Sequence, residues 1–315
     1  MPDLGGSVRE WLADRPGIVA LAALVSPVAI CLIGLGLAGW LPDVPAATVQ
    51  SHFSVHIPFI APESTPTPRP AALEVVPPGR SPVQVPILEY HYIRVVTDPN
   101  DRLGYNLSVT PTDFREQMDW LQHNNYHPVD LNDLRAYFQR KPLPERPVVL
   151  TFDDGYIDFY TTAWPILQAH GFKAVSYVVP GFWGNSRYMT SSQIAEIDRA
   201  GVEIAAHTMT HADLTRAGAA DLVLQVKGSK DALETAIGHP VLDFCYPSGK
   251  YSATVVAAVQ QYGFQSATTE VPGTDHAWAD RYTWTRVRVS GGERLPQFTS
   301  SLGTPEPTVK VTSAG

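Results

Sequence analysis

Val148-Val149-Leu150-Thr151-Phe152-Asp153-Asp154-Gly155 is an apolar run of strand length that ends in two adjacent carboxylates and a glycine. Two buried neighbouring carboxylates repel each other and lose hydration unless a cation lies beside them. A metal ion is the simplest such partner. Capping the helix that follows explains one Asp at such a place, but explains two less well.

Outward from this stretch, short apolar runs alternate with helical patterns. Strands are expected over 85–90, 148–152, 174–179, 202–206, 243–246 and 264–268. Between them, Thr110-Pro111 with Asp113 opens a capped helix, and Gly171 closes another over 163–169. Helices are also expected over 191–199, 219–237 and 253–262. This alternation predicts an α/β fold with a largely parallel sheet and crossover helices. In such folds function gathers at the C-terminal ends of the strands. Four polar groups fall there: Asp153-Asp154, the segment from His207 to His211, Tyr246-Pro247-Ser248-Gly249, and His91.

His207 and His211 are four residues apart, which can set two imidazoles on one face of a turn or helix. Zincin peptidases share the spacing but need Glu directly after the first His; here that residue is Thr208. A site of one Asp and two His, with a position open for water, fits a catalytic metal better.

With these motifs the segment 87–302 resembles the polysaccharide deacetylases of carbohydrate esterase family 4, the NodB-homology group. Thr151-Phe152-Asp153-Asp154-Gly155 is similar to the family's first motif and His207 to His211 to its second, in the family's order. Tyr246-Pro247-Ser248-Gly249 resembles the third in part: the usual Arg falls on Cys245 and the usual Tyr on Ser248. Asp275 and Trp278 hint at the fourth. The usual C-terminal Leu-x-x-His is absent, and Leu88-Glu89-Tyr90-His91 lies upstream instead. This is similar to the branch acting on exported poly-N-acetylglucosamine, where an N-terminal His takes over.

The resemblance implies a distorted (β/α) barrel and N-deacetylation of N-acetylated sugars. It implies one divalent ion held by Asp154, His207 and His211, zinc first, with cobalt, nickel or manganese as alternatives. It makes Asp153 the general base and His91 the general acid, with His276 as runner-up. A backbone N–H near Ser248 is expected to meet the oxyanion. With Cys245 in the arginine's place, Arg286 or Arg288 is expected to orient the base, and Arg288 is placed in the supporting set. Trp183 and Tyr251 are candidates to line a sugar groove, or plain core residues. The alternatives are a peptidoglycan or small-substrate amide or ester deacetylase of the same fold, and a catalytically silent carbohydrate-binding protein.

The 315 residues carry 23 Lys+Arg against 31 Asp+Glu, a net charge of −8, which argues against nucleic acid as a partner. A hydrophobic content of 44% excludes wholesale disorder. Cys31 and Cys245 are too few for a disulfide framework or a thiolate zinc site. Residues 18–40 contain no charge and are long enough to span a bilayer. Arg9 and Arg15 precede them and no Lys or Arg follows until Arg69, so the positive-inside rule puts residues 1–17 in the cytoplasm. A cleaved signal peptide is the alternative, giving a secreted protein. Residues 58–86 contain nine prolines, so 41–86 is read as an extended stalk and 303–315 as a flexible tail. The expected partners are an N-acetylated polysaccharide and the membrane; no protein partner is evident.

Overall fold

The computed structural model describes residues 82–303. The expected membrane span, most of the stalk and nearly all of the tail lie outside them. Among the described residues no helix is long and apolar enough to cross a membrane.

The strands are β1 Val83–Gln84, β2 Ile87–Tyr90, β3 Tyr92–Ile93, β4 Ser108–Val109, β5 His127–Val129 and β6 Pro147–Phe152. They continue with β7 Val175–Val178, β8 Glu203–Ala206, β9 Asp243–Cys245, β10 Ser266–Pro272, β11 Asp275–His276 and β12 Trp284–Arg288. Seven of them close a parallel ring in the order β2-β12-β10-β9-β8-β7-β6, with β2 pairing back onto β6. The edge of β6 is shared: Val149–Phe152 takes β2, and Pro147–Val149 takes β5. Val83–Gln84, inside the stretch read as stalk, pairs antiparallel with Asp275–His276.

The ring forms because its strands are apolar on both faces. Side chains of one parity, among them Leu88, Val148, Leu150, Ile204 and Phe244, pack outward against the helices. The other parity, with Ile87, Val149, Val175, Tyr177, Ala205, Cys245 and Trp284, fills the lumen. The helix Leu131–Phe138 joins that second cluster through Leu131, Leu134 and Phe138.

Local signals set the helix ends. The Thr110 hydroxyl accepts from the Asp113 N–H at 3.1 Å, ahead of Pro111–His123. Thr190 and Gln193 form a reciprocal capping box before Ser191–Arg199. The helix expected over 219–237 is interrupted by a π-turn at Val223–Lys227.

Candidate active site

Strand parity runs three rows of side chains up the lumen: Val149-Thr151-Asp153, Ile87-Glu89-His91 and Glu203-Ala205-His207. Strict alternation would turn Asp154 to the opposite face from Asp153. It does not, because Asp154 is left-handed, with φ 72°. Thr208, His211 and Ser248 are left-handed too, so among the described residues the site holds four of the seven positive-φ residues other than glycine. Such backbone is costly for side-chain-bearing residues, most of all β-branched Thr208, and gathers where geometry serves function. At Gly249 (φ 62°) an added Cβ would lie 2.8 Å from the Glu270 nitrogen, so glycine is needed there.

Asp153 is buried and clamped by Arg286, with Nη1 on Oδ1 and Nη2 on Oδ2, both at 2.8 Å. Burial pushes its carboxyl up, but the charge and hydrogen bonds of Arg286 outweigh this and hold it well below the usual range. Arg286 is itself fixed by the Thr269 carbonyl at 2.8 Å and the Thr151 hydroxyl at 3.1 Å. Its Nη2 also lies 3.3 Å from the Cys245 sulfur and 3.3 Å from Glu89 Oε2. Arg288, placed in the supporting set from sequence, makes no hydrogen bond or ion pair to Asp153. It sits one pleat closer to the barrel mouth, where Nε pairs with Glu89 at 2.9 Å and Nη1 lies 3.6 Å from Glu270. Glu89 was not singled out from sequence, yet it is buried, touches both arginines, and lies 3.9 Å from His91 Nδ1.

Asp154 has no such clamp. Its Oδ1 is buried without a hydrogen-bond partner. His207 Nε2 stands 3.5 Å from it and His211 Nε2 3.4 Å. His207 Nδ1 lies 2.8 Å from the Cys245 carbonyl, so an N–H there fixes the tautomer that frees Nε2. Burial, opposed by the two aspartates, lowers the His207 pKa to about 4, leaving a neutral imidazole. The donor atoms of Asp154, His207 and His211 lie within 4.8 Å of one another. An orphaned carboxylate oxygen beside two free imidazole nitrogens fits a divalent ion, and an N,N,O set with an open position fits zinc. Two overlapping groups, Asp153-His207-Cys245 and Glu89-His91-Asp153, are equally close-set. Both rely on Asp153, whose charge Arg286 already meets, and burial keeps Cys245 a thiol.

A further residue supports the second motif. Gln225, in the π-turn, accepts from the Met209 N–H through its own carbonyl at 3.0 Å. Its side-chain amide holds Thr210 at both N–H (3.0 Å) and Oγ1 (2.9 Å). Only the interrupted helix periodicity near 223–227 could have signalled it. Ser248 lies in the tight turn Pro247–Gly249. His276 sits apart: its Nε2 is 2.9 Å from the Val85 carbonyl, before the start of β2, whereas His91 follows that strand's end. Trp278 likewise packs in the lumen cluster with Phe138, and Asp275 is exposed on β11. Trp183 packs, partly buried, on the outer core.

A parallel seven-stranded ring with this site at its C-terminal mouth is the architecture of a polysaccharide deacetylase domain. Residues 140–267 match the family described as polysaccharide deacetylase. These residues form a domain of the polysaccharide deacetylase type, similar to the NodB group of carbohydrate esterase family 4. The match starts after His91 and stops short of Arg286. YxkH of Bacillus subtilis (strain 168), which bears the same family name, is 29% identical over 212 residues, covering 67% of this chain and 73% of that one. The poly-beta-1,6-N-acetyl-D-glucosamine N-deacetylase of Escherichia coli (strain K12) is 40% identical over 120 residues, 32% of this chain but 18% of that protein. Among solved structures, the Streptococcus pyogenes deacetylase PplD in complex with acetate superimposes with a TM-score of 0.66 at 28% identity. That match covers 72% of this chain and 100% of that one.

Proposed function

We propose that this chain is a metal-dependent N-deacetylase of a cell-surface or extracellular polysaccharide containing N-acetylglucosamine, anchored to the cell membrane by residues 18–40 with its N-terminus in the cytoplasm. The names of similar proteins support the substrate class, and the uncharged run supports the anchor. The observation that carries the reading is the orphaned Asp154 oxygen between His207 and His211, directly beside a clamped, ionised Asp153.

Asp154, His207 and His211 would hold the ion. When bound, a divalent metal supplies polarisation of the acetyl carbonyl and acidification of a water. Asp153, ionised and oriented by the Arg286 fork, takes the water's proton as oxygen attacks the carbonyl carbon. The N–H groups of Gly249 and Lys250 are spent within the turn, on Tyr246 and Pro247. The Ser248 amide is therefore the one assigned to the developing oxyanion. His91 gives a proton to the nitrogen as the C–N bond breaks, so acetate and a free amine leave. Glu89 positions that imidazole.

The test is acetate release from poly-β-1,6-N-acetylglucosamine by the zinc-loaded full chain, lost on chelation and restored by zinc. A metal-loaded chain that releases no acetate from any N-acetylglucosamine polymer or oligomer sinks the reading.

A further inference from the structure

His91 stands just past the end of β2, where the Asp153 N–H donates to the Tyr90 carbonyl at 2.9 Å. Beyond it the chain leaves the ring on an excursion that closes on itself. Tyr92–Ile93 pairs with Ser108–Val109, and the Arg94 N–H donates to the Val109 carbonyl at 3.0 Å. An acid at the root of such an excursion needs a fixed reference to the base and to the Asp154-His207-His211 cluster, which follow β6 and β8.

One tie to the mouth of the ring is backbone to backbone: the Gly291 N–H, after β12, donates to the Asn106 carbonyl at 3.0 Å. Another is made by side chains, and it lands on the first motif. The rings of Tyr92 and Tyr156 stack with centroids 3.6 Å apart at 21°, so the residue after His91 lies flat on the residue after Gly155. One position further along, the Ile93 N–H donates to Asp158 Oδ2 at 2.9 Å.

Asp158 is not explained by its own helical turn. It is the N-cap of Phe159–Ala163, where an Asp ordinarily accepts from the first N–H groups, yet its side chain makes no capping hydrogen bond. Its Oδ1 is buried with no hydrogen-bond partner among the described residues. Such an unmet oxygen is a cost, and the other oxygen is aimed at the strand beside His91. Burial raises the Asp158 pKa to about 6 against the pull of the Ile93 N–H and of Arg94, so near neutral pH the group is mostly an anion and a strong acceptor.

We infer that Asp158 is a positioning residue for the general acid: by holding the Ile93 N–H it keeps His91 in register with Asp153 and the Asp154-His207-His211 cluster. The inference rests on the deacetylase reading above. It divides the reaction in two. Attack of water on the carbonyl carbon draws on the base and the metal, whereas departure of the nitrogen draws on His91. Loss of Asp158 therefore harms the second step and spares the first.

The test compares two leaving groups on the zinc-loaded full chain. The nitrogen of an N-acetylglucosamine oligomer needs a proton to leave; the phenolate of 4-nitrophenyl acetate does not. Asp158→Ala should cut kcat on the oligomer by ~10–10²-fold, the scale of a catalytic group misplaced by about 1 Å. KM, metal content and ester hydrolysis should change little. Asp158→Asn keeps an acceptor oxygen and should recover the loss to within about threefold of wild type. In the His91→Ala background Asp158→Ala should cost less than about twofold, because the two residues act as one unit. Equal loss on amide and ester, or full additivity with His91→Ala, makes the role merely structural and overturns the inference. Undisturbed oligomer turnover in Asp158→Ala also overturns it, and leaves the deacetylase reading standing. A wild-type chain that cleaves the ester but no N-acetylglucosamine oligomer defeats that reading, and the positioning role with it.

Discussion

The two ends of the barrel lumen carry buried charge in similar proportion and neutralise it differently. At the N-terminal end Glu203 and Asp243 face one guanidinium, Arg135. At the C-terminal end Glu89, Asp153 and Asp154 share the region with Arg286 and Arg288. At each end the buried carboxylates outnumber the arginines that meet them. At the first, burial and the nearby Asp243 charge push the Glu203 pKa well up, so the surplus acid keeps a proton. Backbone N–H groups of Leu131 and Asn132 hold it at 2.8 and 3.3 Å. At the second, the surplus Asp154 faces two imidazole nitrogens, and burial denies His207 a proton of its own. A surplus of carboxylates therefore means different things at the two ends: beside another buried carboxylate it calls for a proton, and among nitrogen lone pairs it calls for a metal ion.

The comparison can be broken most sharply at His207. His207→Ala should lose the metal and at least ~10³-fold of activity, since a divalent ion supplies several kcal/mol of transition-state stabilisation. Asp153→Asn should lose turnover with metal retained. Equal metal loss in both, by elemental analysis, would erase the distinction between the two aspartates. His91→Ala should lower kcat by ~10²–10⁴-fold at unchanged metal content, while His276→Ala should change kcat little. The reverse result would move the acid to the other histidine.

The arginines separate the ends next. Arg286→Lys keeps the charge but not the fork, and a misplaced base should cost up to ~10²-fold in kcat. Arg135→Met leaves buried Asp243 unpaired and should cost ~3–5 kcal/mol in urea unfolding, with kcat and metal content of the folded protein preserved. A large kcat loss in Arg135→Met would show that the two ends are coupled.

The smallest effect is a pH dependence. Glu203 binds its proton more tightly folded than unfolded, so its contribution is full below the ordinary Glu range and is lost as pH rises towards its folded pKa. Glu203→Gln should therefore gain stability relative to wild type as pH rises from the ordinary Glu range to neutral. A constant difference across that window would remove the proton from the account.

Much of this was legible in the sequence, and the gaps have physical causes. Apolar runs and capping residues located most ring strands and helices, and the two motifs named the Asp154-His207-His211 cluster that the fold brings together, because each is written within a few residues. The clamp on Asp153 is not local: it spans 133 residues. Alternation puts Arg286 and Arg288 on one face and cannot say which pleat meets the base. Glu89 looked like one more strand residue, since its partners come from β12. The left-handed turns at Asp154, Thr208 and His211 leave no compositional trace, because none of those residues is glycine. Val83–Gln84 was hidden among prolines, and its partner strand is supplied from the far end of the domain.

Arg286 arrives on β12, the last strand of the ring, which sits between β10 and β2. A growing chain therefore has Asp154, His207 and His211, the proposed metal ligands, before it has the clamp on Asp153. On the proposed mechanism hydrolytic competence is withheld until the ring is shut, and the order of synthesis becomes an order of activation. On that reading a single cut in the segment 277–283 should leave the three-residue cluster together while Asp153 is no longer held in register.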